Sequence, residues 1–501
     1  MKKLNIISSI VLLGLIFFGL SCTEGWEEMN EDPNNPSSAP GTNILAHTLR
    51  VTGDAFFDDW QDMNNFMSYS GQVTKIQYID EAKYDYRESV VNTAWTNYYN
   101  LQLDLQKMRK IAEENSKPKS YAVAEVFSVY LWQFMTDMWK SIPYTNALKG
   151  EEQNFQPEYD TQQSIYMDLL DRLETANEAL NQPVNEANPD NLGAGDVLYG
   201  GDKAKWQKFC NSLRLRIAIR ISKIDPATAQ SVVETILTDL ENNPIFESND
   251  DNAYLWWPGA APYKEPWAEN LETRDDHGMA KTMVEKLKDL DDPRLEVYAK
   301  PNPDGEYVGV VEGAAEGSFA TKNISRIGEK YREDPAGFTP FMRYAETMFN
   351  VAEAALLGWN TGSFTAQGAY EEGMRASLEE NSVNQIDGST LITDAEITEY
   401  MNQPEVAWDP ANGFNLIYTQ KWISLFKQGR EAWALQRRTD FPKMSPAPAS
   451  VYPGHNRQPF RYPYPTQEKN LNTANNNAAS EGIVDQYWGQ QMWWDTRTGV
   501  N

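Results

Sequence analysis

Apolar side chains recur three and four positions apart over residues 121–139, where Val123, Val126, Phe127, Tyr130, Leu131 and Phe134 form one stripe; residues 101–112 carry a second. That period puts each set on one face of an α-helix, and with Pro118 between them the two predict an antiparallel pair. Asp160, with Gln163 three residues on, opens another helix, striped by Ile165, Leu169, Leu173, Ala176 and Leu180. From Lys203 onward Trp206, Phe209, Cys210, Leu213, Ile217 and Ile221 repeat the period, and weaker helices are predicted over 227–240 and 279–290. Over 341–357 and 367–379 small and large residues alternate, as in Tyr344, Ala345, Met348, Ala352 and Ala355. Such spacing suits close helix pairs of the tetratricopeptide type, although no regular 34-residue repeat is present. The strand signal is sparse, with 307–311 the best candidate for a short hairpin arm. The pattern therefore predicts an all-α fold of degenerate tetratricopeptide-like helix pairs. Turn clusters near 182–202, 243–266, 301–318 and 442–466 read as loops between helices, and no domain-sized Pro/Gly/Ser linker divides the chain.

The N-terminus follows a different pattern. Lys2 and Lys3 precede an apolar run over 10–20 that stops at Ser21-Cys22. A basic start, a run too short to span a bilayer and a small residue at the break predict a secretory signal peptide over 1–21. Residues 22–40 read as an acidic tether, with Glu24, Glu27, Glu28, Glu31 and Asp32 followed by Pro33 and Pro36, and 41–501 as the helical domain. A cysteine at the cut resembles the lipobox of bacterial lipoproteins, with Gly19 and Leu20 at minus three and minus two. That resemblance makes Cys22 the lipid anchor, since several acyl chains on one residue hold a protein to a membrane. The other cysteine, Cys210, lies on an apolar helical face and is expected to be an inert core thiol.

With 72 acidic against 44 basic residues the formal charge is −28, which repels phosphate backbones and excludes nucleic acid as a natural partner. The 16 Trp, 25 Tyr and 19 Phe exceed what a core requires. Tyr254-Leu255-Trp256-Trp257-Pro258, with Tyr263 and Trp267 after it, lies where proline and glycine exclude a regular helix, so these rings are candidates for exposure. Flat aromatic faces stack against the C–H side of a sugar ring, and nearby amides and carboxylates bond its hydroxyls. The competing reading is that the rings pin an irregular loop to the core. Tyr78, Tyr84 and Tyr86, with Asp80 and Asp85, form a second cluster open to the same two readings. Trp95, Trp132, Trp139, Trp206 and Trp433 fall on helical stripes and are assigned to the core. Trp488, Trp493 and Trp494 either line the body or face a partner. Arg214, Arg216 and Arg220 read as solvated or salt-bridged structural arginines rather than an anion site. Asp275-Asp276 and Asp291-Asp292 are adjacent pairs, which seldom converge on one glycosidic bond. His47, His277 and His455 lack metal-ligand spacing, and neither a nucleophile elbow nor a phosphate loop occurs. No catalytic residue, cofactor or metal is therefore assigned.

Several segments together resemble one family. Cys22 to Pro36 leads to Gln77 and Tyr84, then to Trp95, Tyr98 and Tyr99. Ile142-Pro143-Tyr144 goes with Tyr159-Asp160, Leu198 to Asp202 with Trp206, and Asn211 with Arg214 and Arg216. Asp292-Pro293-Arg294, Tyr344 with Glu346, Glu431 with Trp433, Arg437-Arg438, and Arg461 to Pro465 with Glu468 and Asn472 follow in order. The set resembles the SusD/RagB family, the SusD-like surface lipoproteins of Gram-negative outer membranes. The resemblance implies a helical body with a loop-rich half that carries the ligand site, and places Tyr78 and Tyr84 at the first ligand loop. It implies a non-enzymatic protein that captures a glycan, or in some members a peptide, and passes it to a TonB-dependent SusC-like channel. The ligand-binding candidates are Trp256, Trp257, Tyr263, Trp267, Tyr78 and Tyr84. A glycoside hydrolase is the remaining alternative.

Overall fold

Helices stack in the order in which they occur. The computed structural model describes residues 40–183 and 185–501, so the signal segment 1–21, Cys22 and the tether as far as residue 39 lie outside the described residues. The longer helices are α1 Gly41–Phe56, α2 Glu88–Glu114, α3 Pro118–Trp139, α4 Gln162–Asn181, α5 Lys203–Ile221, α6 Pro226–Leu237, α7 Tyr344–Leu356, α8 Ala366–Glu380, α9 Gly413–Ser424 and α10 Gly429–Thr439. From α1 to α6 each packs on the next; α7 packs on α5, α8 and α9, which joins the two halves. This is the all-α, helix-pair architecture that the stripes predict.

Two helix starts move by a residue or more. Pro118 does not separate α2 from α3: it is the first residue of α3, where its missing N–H costs nothing. The cap of α4 is Thr161, whose Oγ1 accepts from Ser164 N at 3.1 Å. Asp160 instead accepts from the backbone of Tyr144 and Thr145, at 3.1 and 2.9 Å.

The expected strand over 307–311 is replaced by a single bridge between Val310 and Ala280. Val310 packs with Ile76 and Ile324 in a small cluster of its own, so that apolar run fills a satellite core instead of pairing in a ladder. Strands occur elsewhere: β1 Val73–Lys75, β2 Ala253–Trp256, β3 His277–Met279 and β4 Phe338–Met342 form two antiparallel pairs, β1 with β3 and β2 with β4.

The main core runs from Ile44 to Trp494 as one hydrophobic cluster. Trp95, Trp132, Trp139, Trp206 and Trp433 are buried in it, as the stripes predict; Trp488 and Trp494 are also buried, and Trp493 packs against it. The arginines of α5 are structural. Arg216 grips Glu346 of α7 through two hydrogen bonds of 2.6 Å, and Arg220 donates to Glu431 of α10 at 2.5 Å. Arg214 bonds Asn211 and Asn243, both at 3.1 Å. The acidic pairs are structural too: Asp292 holds Arg294 at 2.6 Å, Asp275 holds Arg326 at 2.7 Å and Asp276 holds Arg274 at 3.1 Å. Cys210 is buried, its Sγ 3.2 Å from Leu173 O, and burial pushes its thiol up to about 12. A thiol held protonated in this way is unreactive.

Candidate ligand-binding groove

Where α1 ends, the chain turns through Asp58, whose Oδ1 accepts from Gln61 N at 2.7 Å. The next segment, Asp59–Phe66, is π-helical: Met63 N reaches back five residues to Asp58 O at 3.3 Å. Such wide turns are uncommon and recur at functional sites. Here the turn buries Gln61 to Phe66 and leaves Trp60 pointing out, 41% exposed. The Arg87 guanidinium sits 5.3 Å from the centre of the Trp60 ring and is ion-paired with Glu81.

Trp60 borders a cavity of about 760 Å³, walled by the end of α1 (Asp54, Ala55), the start of α2 and the short helix Pro266–Leu271. That volume lies within the range of small-molecule sites. Its polar lining is rich in acceptors. Gln61 donates through Nε2 to Val90 O at 3.1 Å, while its buried Oε1 has no partner. Burial raises the carboxyls of Asp54, Asp58 and Asp59 above the usual carboxylate range. Glu269 adds to the effect at Asp54, and Asp59 and Asp54 add to it at Asp58.

A second hollow of about 340 Å³ adjoins the first and shares Asp54 with it. One face of α1 supplies its wall, with Asn43, Ala46, His47, Arg50 and Asp54 at helical spacing. Tyr263 stands opposite, 46% exposed, with the Arg50 guanidinium 4.6 Å from its ring centre. The two hollows make one groove with Trp60 near one end and Tyr263 near the other.

Three of the six sequence-derived candidates are corrected by burial. Trp257 is 5% exposed and its Nε1 donates to Thr339 Oγ1 at 2.9 Å, so although it lines the second hollow it is held in the wall. Trp267 is fully buried, because what reads as an irregular loop is the helix Pro266–Leu271, capped by Glu265, which turns the ring inward against Phe426 and Lys427. Tyr84 is buried beside Tyr69 and Trp488; its hydroxyl donates to Gln458 and accepts from Ala447 N, each at 2.7 Å. These three rings offer no face to a ligand. Trp256 and Tyr78 are 46% and 61% exposed, yet neither lines the two hollows. Trp256 ends β2, and Tyr78 lies under Arg274, next to the cavity residue Thr273.

The sequence patterns do not single out Trp60. A regular helix would place it on the face of Phe56, Phe57 and Met63 and bury it; the π-helical turn rotates it outward. The legible signal is the capping aspartate before an Asp-Trp pair, Asp58-Asp59-Trp60.

Residues 33–465 match the family model described as "Starch-binding associating with outer membrane". The chain belongs to the SusD-like family. The SusD-like fold is shared with solved structures across nearly the whole chain. A chitin-binding SusD homolog from Flavobacterium johnsoniae is 24% identical with a TM-score of 0.78, covering 91% of this chain and 98% of that one. A SusD-like protein from Bacteroides thetaiotaomicron VPI-5482 is 27% identical with a TM-score of 0.74, covering 92% and 100%. No curated protein sequence matches the chain.

In this SusD-like protein the groove combines flat faces with acceptors. Trp60 and Tyr263 each present a partly exposed ring, and the carboxyl groups of the lining can accept from hydroxyls. No group of His, Cys, Asp and Glu suited to hold a metal ion occurs among the described residues.

Proposed function

We propose that this SusD-like chain is a non-enzymatic outer-membrane lipoprotein, anchored through Cys22, that captures an oligo- or polysaccharide and delivers it to a TonB-dependent SusC-like channel. The single observation that carries the reading is the pair of adjoining hollows that meet at Asp54, one lined by exposed Trp60 and the other by exposed Tyr263, with carboxyl groups in their walls. Stacking plus hydroxyl bonding is how a protein holds a neutral sugar without reacting with it. The printed description of the family and the chitin-binding homolog of the same fold support a carbohydrate ligand. Among the described residues no helix is long and apolar enough to cross a membrane.

Affinity gel electrophoresis of the mature chain through a panel of plant and host polysaccharides tests this. Retardation by at least one glycan, reversed by its free oligosaccharide, is expected. Binding to peptides and to none of the glycans overturns the substrate class.

A further inference from the structure

We infer that the acidic tether, residues 22–39, docks back onto the body through Trp26, in a hollow between the α2–α3 turn and the start of α5. The inference deepens the lipoprotein reading by giving the segment behind Cys22 a seat on this chain.

The hollow measures about 520 Å³ and lies at the far end of α2 from the groove. Asn97 lines the groove and Ala112 the hollow, about 22 Å apart along the helix. Ala112, Pro118, Tyr121 and Ala179 give the hollow an apolar floor, and Lys117, Lys119 and Lys203 stand around it. Two acids, Glu113 and Asp190, share the lining, but Asp190 is engaged: it accepts from the backbone N–H of Lys119 at 2.7 Å and of Ser120 at 3.0 Å. Lys117 donates to neutral oxygens, those of Asn188 and Pro189. Among the described residues none of the three lysines makes an ion pair. Burial first and Lys203 second hold Lys119 below the usual ammonium range, against the opposing charge of Asp190. A positively charged hollow with an apolar floor, in a chain of charge −28, suits an acidic occupant with an apolar anchor.

The tether has both properties. Residues 22–39 carry Glu24, Glu27, Glu28, Glu31 and Asp32 without a Lys or Arg, and Trp26 is their one aromatic residue. The tether also joins the body beside the hollow. A Cβ on Gly41 would lie 3.6 Å from Met108 and 3.8 Å from Ile111 of α2, and the next residue of α2, Ala112, lines the hollow. A Cβ on Gly195, in the loop that leads to Lys203, would lie 2.5 Å from Thr42 Cβ, so α1 begins against that wall too. The chain from Trp26 to Pro40 spans up to about 46 Å when extended, whereas Ile111 and Lys117 are about 9 Å apart along the α2 axis. A segment tied so close presents itself at roughly millimolar effective concentration, which favours it over dilute acidic solutes. An indole flanked by Glu24, Glu27 and Glu28 matches an apolar floor ringed by ammonium groups.

Carbodiimide crosslinking of the unlipidated mature chain, read by mass spectrometry on a mixture of isotope-labelled and unlabelled protein, tests the docking. Amide links from Glu24, Glu27 or Glu28 to Lys119 or Lys203 are expected within one chain. Their yield is expected to fall at least about fivefold in about 0.5 M salt and to be lost in Trp26→Ala. In the double variant Lys119→Gln, Lys203→Gln, a glutamate-specific protease is expected to cut the tether at least about tenfold faster than in the unsubstituted chain, at an unchanged melting temperature. Links scattered equally to distant lysines such as Lys288 and Lys300, or no links from the tether, overturn the inference. Links that join labelled to unlabelled protein overturn it in favour of a second copy. Loss of the links on adding oligogalacturonate at micromolar concentration overturns it in favour of an acidic glycan in the hollow. Because the chain tested carries no lipid, each of these results leaves anchoring through Cys22 to be judged by cell fractionation alone.

Discussion

Trp60 lines the groove, whereas Trp267 points into the core from the helix that walls it, and substitutions separate the two. Trp267 is fully buried, so Trp267→Ala leaves a cavity and is expected to cost about 3–5 kcal/mol, read as a lower denaturant midpoint. Trp60→Ala removes an exposed ring and is expected to leave the midpoint unchanged while weakening the ligand. Asp62, buried within the π-helical segment, gives a pH prediction. Burial raises its carboxyl from 3.8 to about 6, against the opposing charge of Arg430. Between those values the folded state holds a proton that the unfolded state has lost. The stability this group lends is complete below 3.8 and disappears as pH rises through about 6, a swing of about 3 kcal/mol. Asp62→Asn should therefore gain stability relative to the unsubstituted chain between about pH 4 and 7, measured by urea unfolding at both ends. A constant difference across that range contradicts the assignment.

Elements differ in how well the sequence reveals them. Helices such as α3, α4 and α5 are legible because each buries one face at helical period, and their boundaries shift only where Pro118 or Thr161 takes the first position or the cap. Strand β2 is not legible. Its Tyr254-Leu255-Trp256 stretch looks like an aromatic loop, and its partner β4 lies far off in sequence, so no local pattern announces the pair. The short helix at Pro266 and the π-helical turn after Asp58 are missed for a related reason: the first turns inward a tryptophan expected to be exposed, and the second exposes a tryptophan that the sequence patterns do not single out. The π-helical segment is also held from outside. A Cβ on Gly429 would lie 2.6 Å from Asp62 Oδ1 and 2.6 Å from Met67 N. Gly429→Ala is thus expected to cost about 1–3 kcal/mol, with ligand affinity falling in parallel as Trp60 is displaced. Loss of stability with full affinity would show that the segment does not position the ring. Between the two halves, Glu346→Ala leaves the Arg216 charge in the core with only Glu431, 3.9 Å away, as a partner, and a loss of about 3–5 kcal/mol by chemical denaturation is expected.

At the scale of the molecule, the sequence carries the class and the fold, while the site depends on tertiary placement. The ordered motifs from Gln77 to Asn472 correspond to one helical body, and the family match over 33–465 covers most of it. The groove was legible only in part: Tyr263 lies in it, Trp256 and Tyr78 are exposed outside it, and Trp60 required the fold. Anchoring belongs to this scale as well. A Cys22→Ala chain is expected in the soluble fraction after cell lysis, and its persistence with the membranes would contradict lipid attachment. The account stands most directly on calorimetric titration of the mature chain and of Trp60→Ala with the best-retarded glycan. The prediction is saturable binding to the unsubstituted chain and at least about tenfold weaker binding to the variant, at the same melting temperature. Equal affinity of the two chains would contradict it.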